Sequence, residues 1–191
     1  VIFTLKEDSL GRIWAGSYQN NLSLVDKGVV RQIAGNPFKM TNGGTYYNGF
    51  MYLVGEGNGG LLQYDMKGKV RQLQTGTTGF YTWLSRDRKY FYFTTTSTLG
   101  LWQTNTRQLE KGRPEWNKIN AGKGMLFNNL LTITEDTTGR IWCGHPKTGI
   151  GIYYPQTDKA TSWLIAKNET AFGAISSLTD HTTCTFRIPN G

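Results

Sequence analysis

The chain has little of what builds helical cores, metal centres or disulfide scaffolds. No window carries apolar residues at i, i+3, i+4 and i+7 between capping signals, which excludes a helical core, and no apolar run approaches the roughly eighteen residues of a membrane span. Only two cysteines, Cys143 and Cys184, occur in 191 residues; without a Cys-x-x-Cys spacing or a Cys/His cluster they imply neither metal nor cofactor. Prolines number five and histidines two. The first residue is Val1, with no initiator Met and no basic-then-apolar leader, so the chain reads as an excised or processed piece. Acidic charge is also short: 13 Asp and Glu against 21 Lys and Arg leave a formal charge of +8. That balance favours an acidic partner, but the basic residues are scattered along the chain and not gathered in one arm, which argues against nucleic acid.

What is present is glycine, at 24 residues, and aromatic side chains, at 13%. This is the composition of many short strands joined by tight turns. Between Leu130 and Leu164 four strand-like segments follow one another: Leu130 to Thr134, Arg140 to Gly144, Gly149 to Tyr154 and Ala160 to Leu164. The turn Asp136-Thr-Thr-Gly139 separates the first two, with Asp able to cap the backbone and Gly able to take the left-handed conformation. The same unit stands near the N-terminus. Glu7-Asp8, Gly11-Arg12-Ile13-Trp14 and Gly16 correspond to Glu135-Asp136, Gly139-Arg140-Ile141-Trp142 and Gly144, 128 positions later. That spacing is three periods of about forty-three residues, the length of a propeller blade.

Two intervening copies fit the period. One contains Gly49-Phe-Met-Tyr52 and Gly60-Leu61, the other Tyr90-Phe-Tyr-Phe93 and Gly100-Leu101. Arg31-Gln-Ile33, Arg71-Gln-Leu73 and Arg107-Gln-Leu109 recur as a candidate fourth strand. The expected organisation is an all-β propeller, or an incomplete propeller arc, of four-stranded antiparallel blades at 2–35, 45–76, 81–109 and 130–165, with the start of a further blade at 174–191. Exposed strands at the ends of such an arc favour a homodimer or pairing with missing blades. Cys143 takes a small apolar strand position and Cys184 falls on the other side of its blade, so no bridge between them is expected. Trp14 and Trp142 are expected in packing between blades.

The pattern E-D-x-x-G-x-I-W-x-G, present at Glu7 to Gly16 and again at Glu135 to Gly144, followed by Gly149-Ile150, resembles the two-component regulator propeller repeat. The second half of the pattern persists at Gly60-Leu61 and Gly100-Leu101. This resemblance implies the periplasmic sensor region of a Bacteroides-type hybrid two-component histidine kinase, which recognises oligosaccharides to trigger signalling. It implies no catalysis within this segment and no direct membrane insertion of it. Streptogramin-lyase-like propellers have similar strands, so a propeller lyase acting on a glycan or cyclic substrate through His145 stands as an alternative, and a protein-interaction scaffold as a third.

In a propeller the loops between second and third strands and the connections between blades share one face. The ligand-binding candidates there are Tyr18, Asn20, Glu56, Asn58, Arg113, Trp116, His145 and Lys147, with Phe38, Lys39 and Lys118 beside them. Amides suit sugar hydroxyls, an aromatic ring stacks on the apolar face of a sugar, and Lys or Arg pairs with a carboxylate or sulfate. His145 is the one general-base candidate, and Glu56 the one carboxylate of the set. Paired carboxylates for glycoside hydrolysis are not apparent, because most Asp residues stand in turns.

Overall fold

The computed structural model describes residues 1–19, 22–57, 60–74, 76–96, 100–126, 128–145 and 149–164. Sixteen strands and one short helix follow in order: β1 (Ile2–Glu7), β2 (Ile13–Ser17), β3 (Leu22–Asp26), β4 (Val29–Gln32), β5 (Met40–Tyr47), β6 (Phe50–Glu56), β7 (Leu61–Asp65), β8 (Val70–Gln74), β9 (Gly79–Leu84), β10 (Tyr90–Thr95), β11 (Leu101–Asn105), α1 (Thr106–Glu110), β12 (Asn117–Ile119), β13 (Thr132–Glu135), β14 (Ile141–His145), β15 (Gly149–Tyr154) and β16 (Lys159–Leu164). They form four separate four-stranded antiparallel sheets, each of four strands consecutive in sequence. The first strands lie innermost: β1 packs on β5, β5 on β9 and β9 on β13. This is an all-β partial propeller.

The core lies in the seams between sheets. Trp14 and Leu22 of the first sheet meet Met51, Leu53, Leu62 and Tyr64 of the second. Tyr52, Val54 and Leu61, on the other face of that second sheet, meet Phe91, Phe93 and Trp102 of the third. Tyr92, Leu101 and Ile119 then meet Ile141, Cys143 and Tyr153 of the fourth. Strand β6 is buried on both faces, so Phe50-Met-Tyr-Leu-Val54 is a continuous apolar run with no alternation. The outer strand β4 pairs with β3 along one edge and is exposed throughout. One cross-strand pair repeats: Gln63 donates to the Tyr52 hydroxyl, and Gln103 to that of Tyr92, both at 3.0 Å.

Turn chemistry sets the hairpins. Lys27-Gly28 and Asn48-Gly49 are two-residue turns with both residues at positive φ, the geometry that matches strand twist. In the E-D-x-x-G-R-I-W motif the aspartate is a hub. Asp8 Oδ1 accepts from the amides of Leu10 and Arg12 at 2.9 and 3.2 Å, and Oδ2 from Arg12 Nε and Trp14 Nε1, each at 2.9 Å. Asp136 repeats this with Thr138, Arg140 and Trp142. The spacing of the motif is therefore that of one carboxylate reaching a turn, a guanidinium and an indole.

Several expectations need correction. Arg107-Gln-Leu109 is not a fourth strand. It lies in α1, whose start is capped by the Asn105 side chain accepting from Arg107 N at 2.9 Å, and Leu109 is buried against the second sheet. The fourth strand of the third sheet is β12, which lies beyond the expected end of that blade at residue 109. The second sheet begins at Met40, not at Thr45, and the third at Gly79, not at Tyr81. Asn42-Gly-Gly44 has poor strand propensity, yet it is buried as an inner strand where a side chain on Gly43 would lie 2.5 Å from the carbonyl of Phe80. Packing overrides propensity there. The third sheet's first turn lacks glycine, and Arg88 takes the left-handed conformation at φ 58°.

The tryptophans also differ. Trp14 is 1% exposed, but Trp142 is only half-buried, stacked on Trp163 with ring centroids 6.1 Å apart and Trp163 itself 53% exposed. The face that Trp14 turns toward the second sheet has no counterpart sheet against Trp142 among the described residues. Cys143 is buried, and burial pushes its thiol well above the ordinary range. Cys184 and the expected fifth unit, 174–191, lie outside the described residues.

Candidate ligand-binding site

At the end of the strands where β2, β6, β10 and β14 finish, three sequence candidates come together. Tyr18 bridges to Met40, and Gln19 N donates to Lys39 O at 2.7 Å. Lys39 N in turn donates to Glu56 O at 3.0 Å, and Met40 pairs with Glu56. Backbone pairing thus places Tyr18, Lys39 and Glu56 side by side across two sheets. The Tyr18 ring is 44% exposed, with Phe3 6.0 Å away. Gly16 beneath it allows the close approach, since a Cβ there would lie 2.6 Å from Thr41.

Further along the same end, Thr96 N donates to Thr78 O within the third sheet's own loops, and Leu130 N to Thr95 O ties the third sheet to the fourth. Among the described residues, Thr77 Oγ1, Asn128 Oδ1 and Asn129 Oδ1 in these connections are buried without a hydrogen-bond partner. A buried acceptor without a donor costs about 1–3 kcal/mol. Sequence reasoning missed these residues, although Asn128-Asn129 directly before a strand is a visible signal.

His145 lies half-buried at this end, paired with Gly149 across β14 and β15. It is in the fourth sheet and Glu56 in the second. Phe38 is fully buried in the first seam and presents no ring to solvent. Arg113 and Trp116 follow α1, which hydrogen-bonds through Thr106 to Arg88 and Lys89 at the opposite end of the strands. They are not brought to the loops around Tyr18. The Trp116 ring packs on Phe93 at 5.0 Å and Trp102 at 5.7 Å, in the second seam. Lys118 lies over the Trp102 ring at 4.5 Å. Asn20, Asn58 and Lys147 lie outside the described residues.

Among the described residues no group of three His, Cys, Asp or Glu could hold a metal ion, and no helix is long and apolar enough to cross a membrane. The perturbed carboxylates belong to turns. Burial pushes Asp8 up, but Trp14, the Leu10 and Arg12 amides and the Arg12 guanidinium outweigh it and hold the carboxyl below its ordinary value. Asp136 is held well below the usual range in the same way, by Trp142, Thr138 and Arg140 against burial. These groups serve the fold, and the loop end carries an exposed ring, a cation and a carboxylate.

No protein-family profile matches the chain, and no curated protein matches it. Among solved structures, it is similar to the extracellular domain of the putative hybrid two component system BT4673 from B. thetaiotaomicron, at 18% identity and a TM-score of 0.71, over 89% of this chain and 22% of that one. The extracellular domain of the putative hybrid two component system BT3049 from the same organism aligns at 15% identity and a TM-score of 0.68, over 85% of this chain and 23% of that one. An auxiliary nutrient binding protein from Bacteroides thetaiotaomicron aligns at 11% identity and a TM-score of 0.64, over 85% and 41%. The likeness is one of fold, and the chain spans about a fifth of the length of the two sensor domains.

Proposed function

We propose that the chain is part of the extracytoplasmic, periplasmic sensor module of a hybrid two-component system, and that its loop end binds an oligosaccharide to trigger signalling by a histidine kinase elsewhere in the whole protein. The observation that carries the binding is the combination at one end of the strands of the exposed Tyr18 ring with the Lys39 and Glu56 charges, held side by side by backbone pairing. A sugar offers an apolar face to the ring and hydroxyl donors to the Glu56 carboxylate, and Lys39 suits an acidic sugar. The fold shared with the two sensor domains supports the sensor reading.

The test is a thermal-shift screen against neutral and acidic oligosaccharides, with each hit checked by chromatography for altered sugar. At about 100 times the dissociation constant, binding adds ~2.7 kcal/mol and raises the midpoint by several degrees. A saturable shift with unchanged sugar supports the reading. A consumed sugar overturns it in favour of the lyase alternative, and no shift with any sugar overturns the glycan assignment.

A further inference from the structure

A second opening lies at the far end of the strands, in the seam between the third and fourth sheets. It is a cleft of about 320 Å³ whose walls include Asp87, Lys89, Tyr90, Tyr92, Glu135 and Gln156. This volume is at the lower end of small-molecule sites. Residues from three turns and from β10 line it, so it is separate from the loops around Tyr18.

The two other seams show what this fold puts in that place. In the first, the Arg12 guanidinium reaches across to the Met66 carbonyl at 3.3 Å and its sulfur at 3.2 Å. In the second, the Arg88 guanidinium lies over the Tyr47 ring, 5.4 Å from its centroid. A guanidinium fills each. In the third seam the Arg86 guanidinium likewise reaches across, to the backbone carbonyl of Glu135 at 3.3 Å and not to its carboxylate.

Glu135 is consequently half-committed. It is 9% exposed, and its Oε2 accepts from Trp83 Nε1 at 3.1 Å and Arg86 N at 2.8 Å. Its Oε1 has no hydrogen-bond partner among the described residues and borders the cleft. The other cation of the wall, Lys89, is held by Asp87 at 3.2 Å. Two tyrosines, Tyr90 and Tyr92, stand 6.4 Å apart by ring centroid, and Tyr90 is 36% exposed. The wall is fixed, because the Tyr92 hydroxyl accepts from Gln103, which also accepts from Tyr153 and Asn117.

From this arrangement we propose that the cleft between the third and fourth sheets is a second ligand site, for a small organic cation bearing a guanidinium or primary ammonium. The cation donates to Glu135 Oε1 and lies against the Tyr90 and Tyr92 rings, while Gln156 offers its side-chain amide to a polar group of the ligand. Charge-assisted hydrogen bonds and cation–π contacts supply the recognition.

The test titrates the ¹⁵N-labelled chain with butylguanidinium and, separately, with its uncharged isostere butylurea, following the backbone amides of Arg86, Glu135 and Gly139. The expected result is saturable shifts with butylguanidinium and at least tenfold weaker binding of butylurea. Glu135→Gln, which keeps an acceptor for Trp83, weakens butylguanidinium at least tenfold. Tyr90→Ala, at an exposed position, weakens it at least threefold with the remaining amide spectrum retained, so a folding defect in the first variant does not remove the test. No saturable shift with butylguanidinium, equal binding of butylurea, or binding unchanged in Tyr90→Ala each overturns the site.

Discussion

The Trp14 indole donates to Asp8 Oδ2 at 2.9 Å, so the turn that starts the first sheet and the side chain that fills its seam are held by one carboxylate. Asp8→Ala leaves the indole, the Arg12 side chain and two amides without their acceptor. Removing a partner from buried donors costs about 1–3 kcal/mol, and urea unfolding should place this variant at the upper end of that range. A loss below about 0.5 kcal/mol would show that water replaces the carboxylate and that the hub is not structural.

The two motif tryptophans are equivalent in sequence and unequal in surroundings. Trp14 is 1% exposed in a filled seam, and Trp142 is half-buried against an exposed Trp163. Replacing Trp14 with Ala should cost roughly 3–5 kcal/mol. Trp142→Ala should cost less than half as much by the same measurement. Equal losses would mean that Trp142 is covered in solution, by another part of the protein or by another chain.

Acid should weaken the fold through Asp8 and Asp136. Both carboxyls sit below their ordinary value in the folded state, so their stabilisation is present above the unfolded value near 4 and fades as pH falls through the depressed folded value. A fall in urea midpoint below about pH 4 is expected, and it should be smaller in Asp136→Asn than in the parent chain. An unchanged pH profile in that variant would remove Asp136 from the account.

Gly43 tests why a glycine-rich segment forms an inner strand. A methyl group there meets the Phe80 carbonyl at 2.5 Å, contact with backbone that cannot rotate away. Gly43→Ala should cost about 1–3 kcal/mol. At Gly49 a Cβ meets nothing within 4 Å, so the expense of Gly49→Ala is the strain of its φ of +81° alone. Comparable melting points for Gly43→Ala and the parent chain would show that the inner strands separate to make room.

The sheets with complete motifs were legible in the sequence because their information is local. Asp8 and Asp136 each order a turn, an arginine and a tryptophan within seven residues, and the first and fourth sheets have the strands this pattern predicts. The third sheet was misread at its edge: Asn105 caps a helix over Arg107 to Leu109, and Asn117–Ile119, with weaker strand character, completes the sheet by pairing with β11. Inner strand β5 was hidden because close packing against β9, and not its own propensity, holds Asn42-Gly-Gly44 extended. For the candidate site, position within the blade located Tyr18, Glu56 and His145. Arg113 and Trp116 were misplaced with the misread edge, and the burial of Thr77, Asn128 and Asn129 oxygens without partners is a property of packing that no local pattern carries.

The most direct test of the account is calorimetric titration of the best oligosaccharide from the screen into the parent chain and into Tyr18→Ala and Glu56→Gln. Saturable binding that weakens at least tenfold in both variants, with melting points within about 2 °C of the parent, is the predicted result. Binding unaffected by either substitution would contradict the placement of a glycan site at the end of the strands where Tyr18, Lys39 and Glu56 meet.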